Sequence, residues 1–256
     1  MSDRWEYFPC AMGDNTAFIF VDVGIHDIIH EAPRTVCKVR LKYRHTHPSG
    51  LPTNDDFEPA KQIEDRLEAF ASAARDWYVG RVTVDGHRYF HYFTTQQKAA
   101  WVDEVSKLSH ESGFELTVLY EDDPDHDAYL KELYPTQDDW RVISDMRVID
   151  GATENGDDNA KTRQIDHWIY FDDERAAYPF IAWAKQEGYI FQPEYSESDE
   201  DGRYCVRVCH HGTLELNDIT HHTLSLAHKA EEFGGDYDGW ETPIVEWREA
   251  LTGGYR

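Results

Sequence analysis

Tyr78-Val79-Gly80-Arg81-Val82-Thr83-Val84-Asp85-Gly86-His87-Arg88-Tyr89-Phe90-His91-Tyr92-Phe93 is the stretch that decides the fold. Two short runs rich in β-branched and aromatic residues, Tyr78 to Val84 and Arg88 to Phe93, flank Asp85-Gly86, a dipeptide suited to the positive φ angles of a type I′ turn. The stretch predicts a β-hairpin. In front of it Phe57, Ala60, Ile63, Leu67, Phe70, Ala74 and Trp77 recur at three- and four-residue steps, which predicts one helix with a continuous apolar stripe. Pro59 falls in the first turn of that predicted helix, where its missing N–H has no intrahelical partner. Behind the hairpin, Thr94 with Gln97 forms a capping-box pattern. Trp101, Val105 and Leu108 then line one face of a second helix that Gly113 closes.

Further out, Ala17 to Asp22 and Thr35 to Tyr43 read as strands on the N-terminal side, and Phe114 to Tyr120 reads as a strand after the second helix. Trp5 to Asn15 reads as an aromatic entry that runs into turn residues. The order contains β-α-β-β-α-β of the ferredoxin-like kind, with one additional N-terminal strand.

A similar order follows in the second half. Asp138 or Asp139 caps a helix carrying Trp140, Ile143 and Met146, and Gly151 to Thr162 is a small, polar, mobile connector. Ile165 to Phe171 is a strand. Asp172-Asp173-Glu174 starts a helix with Ala177, Phe180, Ile181 and Ala184 inward, in which Pro179 implies a kink or a later start. Tyr189 to Ser196 and Arg203 to His210 are antiparallel candidates joined by the exposed acidic loop Glu197 to Gly202. Leu216, Ile219, Thr223, Leu226, Ala230 and Phe233 mark the last helix, which Gly234-Gly235 ends before the closing strand Asp236 to Thr242. The expectation is an α+β protein of two tandem ferredoxin-like domains, residues 1–134 and 135–256, with Pro135 as the punctuation between them.

The composition narrows the function classes. In 256 residues, 50 acidic against 25 basic side chains give a formal net charge of −25, which repels phosphate and argues against direct nucleic-acid binding. A basic protein partner fits that charge, as does a solvated surface in a salty cytoplasm. With 8 Trp, 15 Tyr and 12 Phe there is ample material for compact cores. Cys10, Cys37, Cys205 and Cys209 show no C-x-x-C spacing and no secretory segment precedes them, so reduced thiols and a cytoplasmic location are expected. No apolar run approaches the length of a membrane span.

Motifs for catalysis are sparse. Glu121-Asp122-Asp123-Pro124-Asp125-His126-Asp127 holds metal-ligand types but lacks the glycine hinge and alternating positions of an EF-hand, and a charged linker or helix start accounts for it. His210-His211 and His221-His222 invite a metal reading, yet neighbours on a strand point to opposite faces, so at most one of each pair shares a site. There is no G-x-S-x-G, no P-loop and no G-x-G-x-x-G opening a helix. No catalytic, cofactor or metal site is expected; the alternatives are a metal-assisted hydrolase using histidines and acids of the C-terminal half, and a general protein-interaction module.

A helix ending in Ala230-Glu231-Glu232-Phe233-Gly234-Gly235, followed by Asp236-Tyr237-Asp238-Gly239-Trp240-Glu241-Thr242, closely resembles the signature end of the regulator of ribonuclease activity B family. Arg163 to Phe171, with His167 ahead of an aromatic-rich segment, is similar to that family's first strand. Trp5-x-Tyr7-x-Pro9-x-x-Met12-Gly13 and Phe20-Val21-Asp22-Val23-Gly24 resemble a family of unknown function that is often fused to such domains. The resemblance implies a ferredoxin-like domain that acts without catalysis, binding an RNase E type endoribonuclease and lowering its activity on RNA. The chain departs from the best-understood members in carrying a whole domain before the signature and no long acidic tail after it. Asp236, Tyr237, Asp238 and Trp240 are the candidate protein-contact residues, with one of Tyr237 and Trp240 expected to close the core while the other faces the partner.

Overall fold

The structure, a computed structural model, describes residues 2–199 and 202–246. Two compact units meet in the sequence at Asp139 and Trp140. Both are α+β, each built on one antiparallel sheet.

The first unit begins with a hairpin, β1 (Trp5–Met12) and β2 (Asn15–Asp22), followed by a 3-10 stretch at Val23–Glu31. Then come β3 (Thr35–Lys42), α1 (Asn54–Ala73), β4 (Trp77–Val84), β5 (His87–Phe93), α2 (Lys98–Ser112) and β6 (Glu115–Asp122). The sheet order is β1-β2-β4-β5-β3-β6. Two strands therefore precede β3, where the sequence pattern indicates one. Pro9 conceals β1, because a proline removes a ladder donor and fits a sheet only where that donor is not needed, as on this edge strand. The β4–β5 turn forms as expected: Val84 pairs with His87, and Asp85 and Gly86 have φ of 46° and 73°.

Helix α1 starts earlier than the pattern indicates, so Pro59 lies inside it rather than in the first turn. The helix also stops earlier: Arg75 takes a φ of 62°, and Trp77 opens β4. Its buried positions Ala60, Ile63, Leu67 and Ala71 pack with Trp101, Val105 and Leu108 of α2 over Leu41, Phe90 and Tyr92 of the sheet. Thr94 does not cap α2; its hydroxyl donates to Asp76 and accepts from the Trp101 indole, leaving Gln97 at the N-cap. Within the acidic run after β6, the Asp123 carboxylate accepts the N–H groups of Asp127 and Ala128 and so starts the short helix α3 (Asp127–Leu130).

Thr136 and Asp139 cap α4 (Gln137–Glu154) reciprocally, each accepting the other's backbone N–H. Helix α4 continues through Gly151, so most of the expected connector is helical or fixed. Arg163 pairs with the buried Asp157 carboxylate, and the Asn159 carbonyl accepts the Leu214 N–H. The second of these anchors comes from a distant part of the chain, and the first joins the connector to the start of β7, so composition alone conceals both.

The second unit continues with β7 (Arg163–Phe171), α5 (Glu174–Gln186), β8 (Ile190–Phe191), β9 (Glu197–Ser198), β10 (Tyr204–Gly212), α6 (Leu216–Glu232) and β11 (Asp236–Glu241). Its sheet runs β11-β7-β10-β8, with β9 beside β10. The Asp173 carboxylate caps α5 by accepting the Ala176 N–H, and the helix passes through Pro179. The expected strand Tyr189 to Ser196 is reduced to the two-residue β8 by a 3-10 turn at Pro193–Tyr195, because proline cannot donate to a ladder, and β9 falls in the expected acidic loop. Glu200 and Asp201 of the expected acidic loop lie outside the described residues. Ile169, Phe171, Val206 and Val208 face Ala177, Phe180, Leu226 and Ala230 of the helices, forming the core of this unit. Among the described residues no helix is long and apolar enough to cross a membrane, and all four cysteines are free thiols.

Candidate functional site

Strand β11 is an edge of the second sheet, hydrogen-bonded to β7. A bulge interrupts the pairing: Tyr237 stands opposite Ile169 and Gly239 opposite Trp168, which leaves Asp238 as the additional residue. Trp240 then pairs with His167. Directly opposed residues share a face of a sheet, and His167 and Ile169 alternate onto the same face of β7. The bulge therefore turns Tyr237 and Trp240 to one side, where the helices pack, whereas an unbroken strand would send them to opposite sides. Both residues are half-buried on the helix-facing side, and neither is turned to the opposite face.

The Trp240 indole N–H donates to Asp145 Oδ1 on α4 at 2.8 Å, and the Thr223 hydroxyl of α6 donates to Asp145 Oδ2 at 2.7 Å. Each carboxylate oxygen has one donor. Burial pushes the Asp145 carboxyl up to about 6, against the pull of these two hydrogen bonds and the Arg141 charge. Arg141, one turn before Asp145 on α4, donates to Glu231 at 2.9 Å.

Between α4 and β11 runs an open groove of about 520 Å³, lined among others by Arg141, Asp145, Trp168, Tyr237, Asp238 and Glu241. It wraps around the strand edge, since Trp168 belongs to the face opposite Tyr237 and Trp240. Among the described residues, apart from its chain neighbours, no atom lies within 4 Å of where a Gly239 Cβ would project, so the bulge leaves open space in the wall. Three carboxylates face one guanidinium along the lining. Trp240 also lines this groove, while Asp236 stands at the start of β11 in an ion pair with Arg203 at 2.6 Å, outside the lining. On the outer face Arg207 pairs with Asp166 at 2.8 Å, its guanidinium 5.0 Å from the Trp168 ring and 4.6 Å from the Tyr195 ring.

Behind Tyr237 lies a chain of buried polar rings. The Tyr237 hydroxyl is 2.9 Å from His167 Nδ1, and His167 Nε2 is 3.0 Å from His210 Nδ1. The His210 ring stacks on His222 with centroids 3.7 Å apart, and His222 Nδ1 is 2.8 Å from the Tyr189 hydroxyl. Burial, reinforced by the neighbouring imidazoles, holds His167 well below the usual histidine range, brings His210 down to about 4 and lowers His222. All three are neutral at neutral pH.

A neutral imidazole has one donor and one acceptor, so the Tyr237–His167–His210 series carries its protons in one direction or the reverse. The nitrogens of His167 are engaged by Tyr237 and His210. Among the described residues no three His, Cys, Asp or Glu side chains are arranged to hold a metal ion.

The structure brings together one member of each histidine pair, His210 and His222, as strand and helix geometry requires, and leaves His211 and His221 exposed. Sequence reasoning missed His167 and Asp145 as parts of this region. The available signal was polarity at a position where periodicity calls for an apolar residue: His167 interrupts the buried face that Ile165, Ile169 and Phe171 define.

Fold and groove define a two-unit α+β protein whose second unit presents an acidic, aromatic groove along a bulged edge strand. Residues 3–134, more than half of the chain, match the Family of unknown function (DUF695), and the chain belongs to that family. Residues 142–242, which contain the Tyr237–Trp240 wall and the histidine chain, match the family Regulator of ribonuclease activity B, a regulator rather than a catalytic family. No curated protein matches the chain.

Proposed function

We propose that the second unit is a non-catalytic, protein-binding regulator that engages an RNase E type endoribonuclease through the β11 groove and lowers its activity on RNA. Both units are read as ferredoxin-like domains joined near residues 134–135. The strand orders β6-β3-β5-β4 and β11-β7-β10-β8 support that reading, since each carries two helical crossovers around a central pair.

The observation that carries the binding reading is the groove itself. An edge strand offers backbone groups for pairing, and Asp238 and Glu241 add negative charge beside the indole of Trp168. A basic segment of the nuclease fits this combination: its lysines and arginines meet the carboxylates, and its backbone or apolar side chains meet the aromatic wall. A net charge of −25 supports the same choice of partner through long-range steering. Tyr237 and Trp240 build the wall, Asp238 supplies contact charge, and Asp236 extends the acidic rim.

The test is affinity capture from the native host followed by an RNA-cleavage assay with the captured nuclease. Enrichment of an RNase E type enzyme, and slower cleavage as the protein is added, are the expected results. Unchanged cleavage together with no enriched ribonuclease sinks the proposal.

A further inference from the structure

The first unit contains a cleft that the β1–β2 hairpin creates. This hairpin extends the sheet past α1, so the sheet face formed by Tyr7, Phe18, Phe20 and Arg81 continues beyond the helix that covers its neighbours. Phe57 lies on the apolar stripe of α1 and yet is 49% exposed, because it overhangs this cleft. Two lobes of about 530 and 390 Å³ share Phe20, Phe57, Arg81 and Arg88.

The electrostatics of the smaller lobe contradict the protein around it. In a chain of net charge −25, the charged side chains lining this lobe are Arg81 and Arg88, without a carboxylate among its lining residues. Both guanidinium groups approach one acid, Glu64. Arg81 bonds to Glu64 Oε1, which also accepts the Tyr78 hydroxyl at 2.6 Å. Arg88 Nη1 stays 3.6 Å from Glu64 Oε2, beyond hydrogen-bonding distance.

Arg88 is the anomaly. Its side chain is only 7% exposed, Nε donates to Thr83 Oγ1 at 3.1 Å, and among the described residues neither Nη group donates a hydrogen bond. The larger lobe also carries Asp3, Asp65 and Glu68, so the positive end of the cleft is the smaller lobe, where the Arg88 Nη donors are directed at open space. Leaving the donors of a buried guanidinium unused is costly, and an anion seated in the smaller lobe satisfies them.

The walls select the rest of such a molecule. Tyr7 and Phe18 stack at 5.6 Å on one side, Phe57 overhangs the other, and the Arg81 guanidinium lies 4.3 Å from the Phe20 ring centroid. A guanidinium fork matches a planar carboxylate, and the lobe's volume suits a molecule of one or two rings. A phosphate monoester, carrying more than one charge near neutral pH, is repelled more strongly than a carboxylate by Asp3, Asp65 and Glu68 of the adjoining lobe.

We propose that this cleft is a binding site for a small aromatic carboxylate, held by Arg88 and Arg81 through its carboxylate and by Tyr7, Phe18 and Phe57 through its ring. The site is independent of the groove in the second unit.

The test is calorimetric titration of the full chain with phenylacetate, its neutral analogue phenylacetamide, and inorganic phosphate. Phenylacetate is expected to bind saturably and at least tenfold more tightly than either of the others. Arg88→Met is expected to weaken phenylacetate at least tenfold. Phe57→Ser, at an exposed position that leaves folding intact, is expected to weaken it at least threefold, and this variant decides the matter if Arg88→Met fails to fold. Equal binding of phenylacetate and phenylacetamide, equal binding of phosphate, no saturable binding, or wild-type affinity in Phe57→Ser overturns the proposal.

Discussion

Tyr237 and Trp240 share one face of β11 although they are three residues apart, because Asp238 is an additional residue that β7 does not match. Deleting Asp238 alone leaves Tyr237 and Trp240 two apart and still on one face; deleting Asp238 and Gly239 together makes them neighbours and turns one of them to the opposite side of the sheet. The double deletion is expected to cost about 2–4 kcal/mol in urea unfolding, with a changed near-ultraviolet signal from the indole. Asp238→Ala keeps the residue count and is expected to stay within about 0.5 kcal/mol of wild type, since Asp238 is exposed. Equal losses in the double deletion and in Asp238→Ala would show that the spacing of Tyr237 and Trp240 along β11 does not set their common face.

The Trp240–Asp145 hydrogen bond makes a separate prediction. Trp240→Phe retains an aromatic ring but leaves Oδ1 of a buried carboxylate without its donor. The expected cost is about 1–3 kcal/mol at pH 7. The loss is expected to shrink as the pH falls through the Asp145 value of about 6, because a protonated carboxyl demands fewer donors. Denaturant titrations of both proteins at pH 7 and pH 5 measure this; a loss that is the same at both values removes Asp145 from the account.

The histidine chain sets the sign of the acid response. His167, His210 and His222 bind protons less readily in the fold than at the ordinary histidine value of 6.5, with His210 brought down to about 4. Between those values the unfolded chain takes up more protons, so their contribution is present above about 6.5 and is lost as the pH falls toward 4. Asp145 acts in the opposite direction: its raised value favours the fold below its unfolded value of 3.8, and that advantage is lost as pH rises through about 6. Three imidazoles oppose one carboxyl, so the melting temperature is expected to fall from pH 7 to pH 5. His222→Phe keeps a ring against His210 and removes one titrating group, and its melting temperature is expected to fall less steeply over that range. Parallel curves for the two proteins would contradict the assignment.

These relationships divide into those that local patterning encodes and those that it does not. The Asp85-Gly86 hairpin, the apolar stripes of α1, α2 and α6, and the acidic start of α5 were legible because each depends on residues within one or two turns of one another. Strand β1 was hidden by Pro9, whose cost disappears only once the strand is known to lie at an edge. The breaks around Pro193 depend on pairing partners that no local window contains. In the groove, Tyr237, Asp238 and Trp240 stood out by residue type, but their common orientation depends on register against β7. Asp145 and His167 belong to helices and strands whose apolar periodicity they interrupt, and only the fold brings their partners Trp240, Thr223 and His210 to them.

The acidic rim gives the most direct test of the proposed partner interaction. Asp238 and Glu241 are exposed and line the groove, so Asp238→Lys with Glu241→Lys changes the local charge by four units while leaving the buried wall in place. Stability is expected to remain within about 1 kcal/mol, as for surface changes elsewhere. Association with an RNase E type endoribonuclease is expected to weaken by about tenfold or more, chiefly through slower association, and the wild-type rate is expected to fall steeply as salt is raised. Surface plasmon resonance at two salt concentrations separates the two rate constants. If the double variant associates as fast as wild type at low salt, the acidic rim does not steer the nuclease, and contact through Tyr237 and Trp240 would have to carry recognition without it.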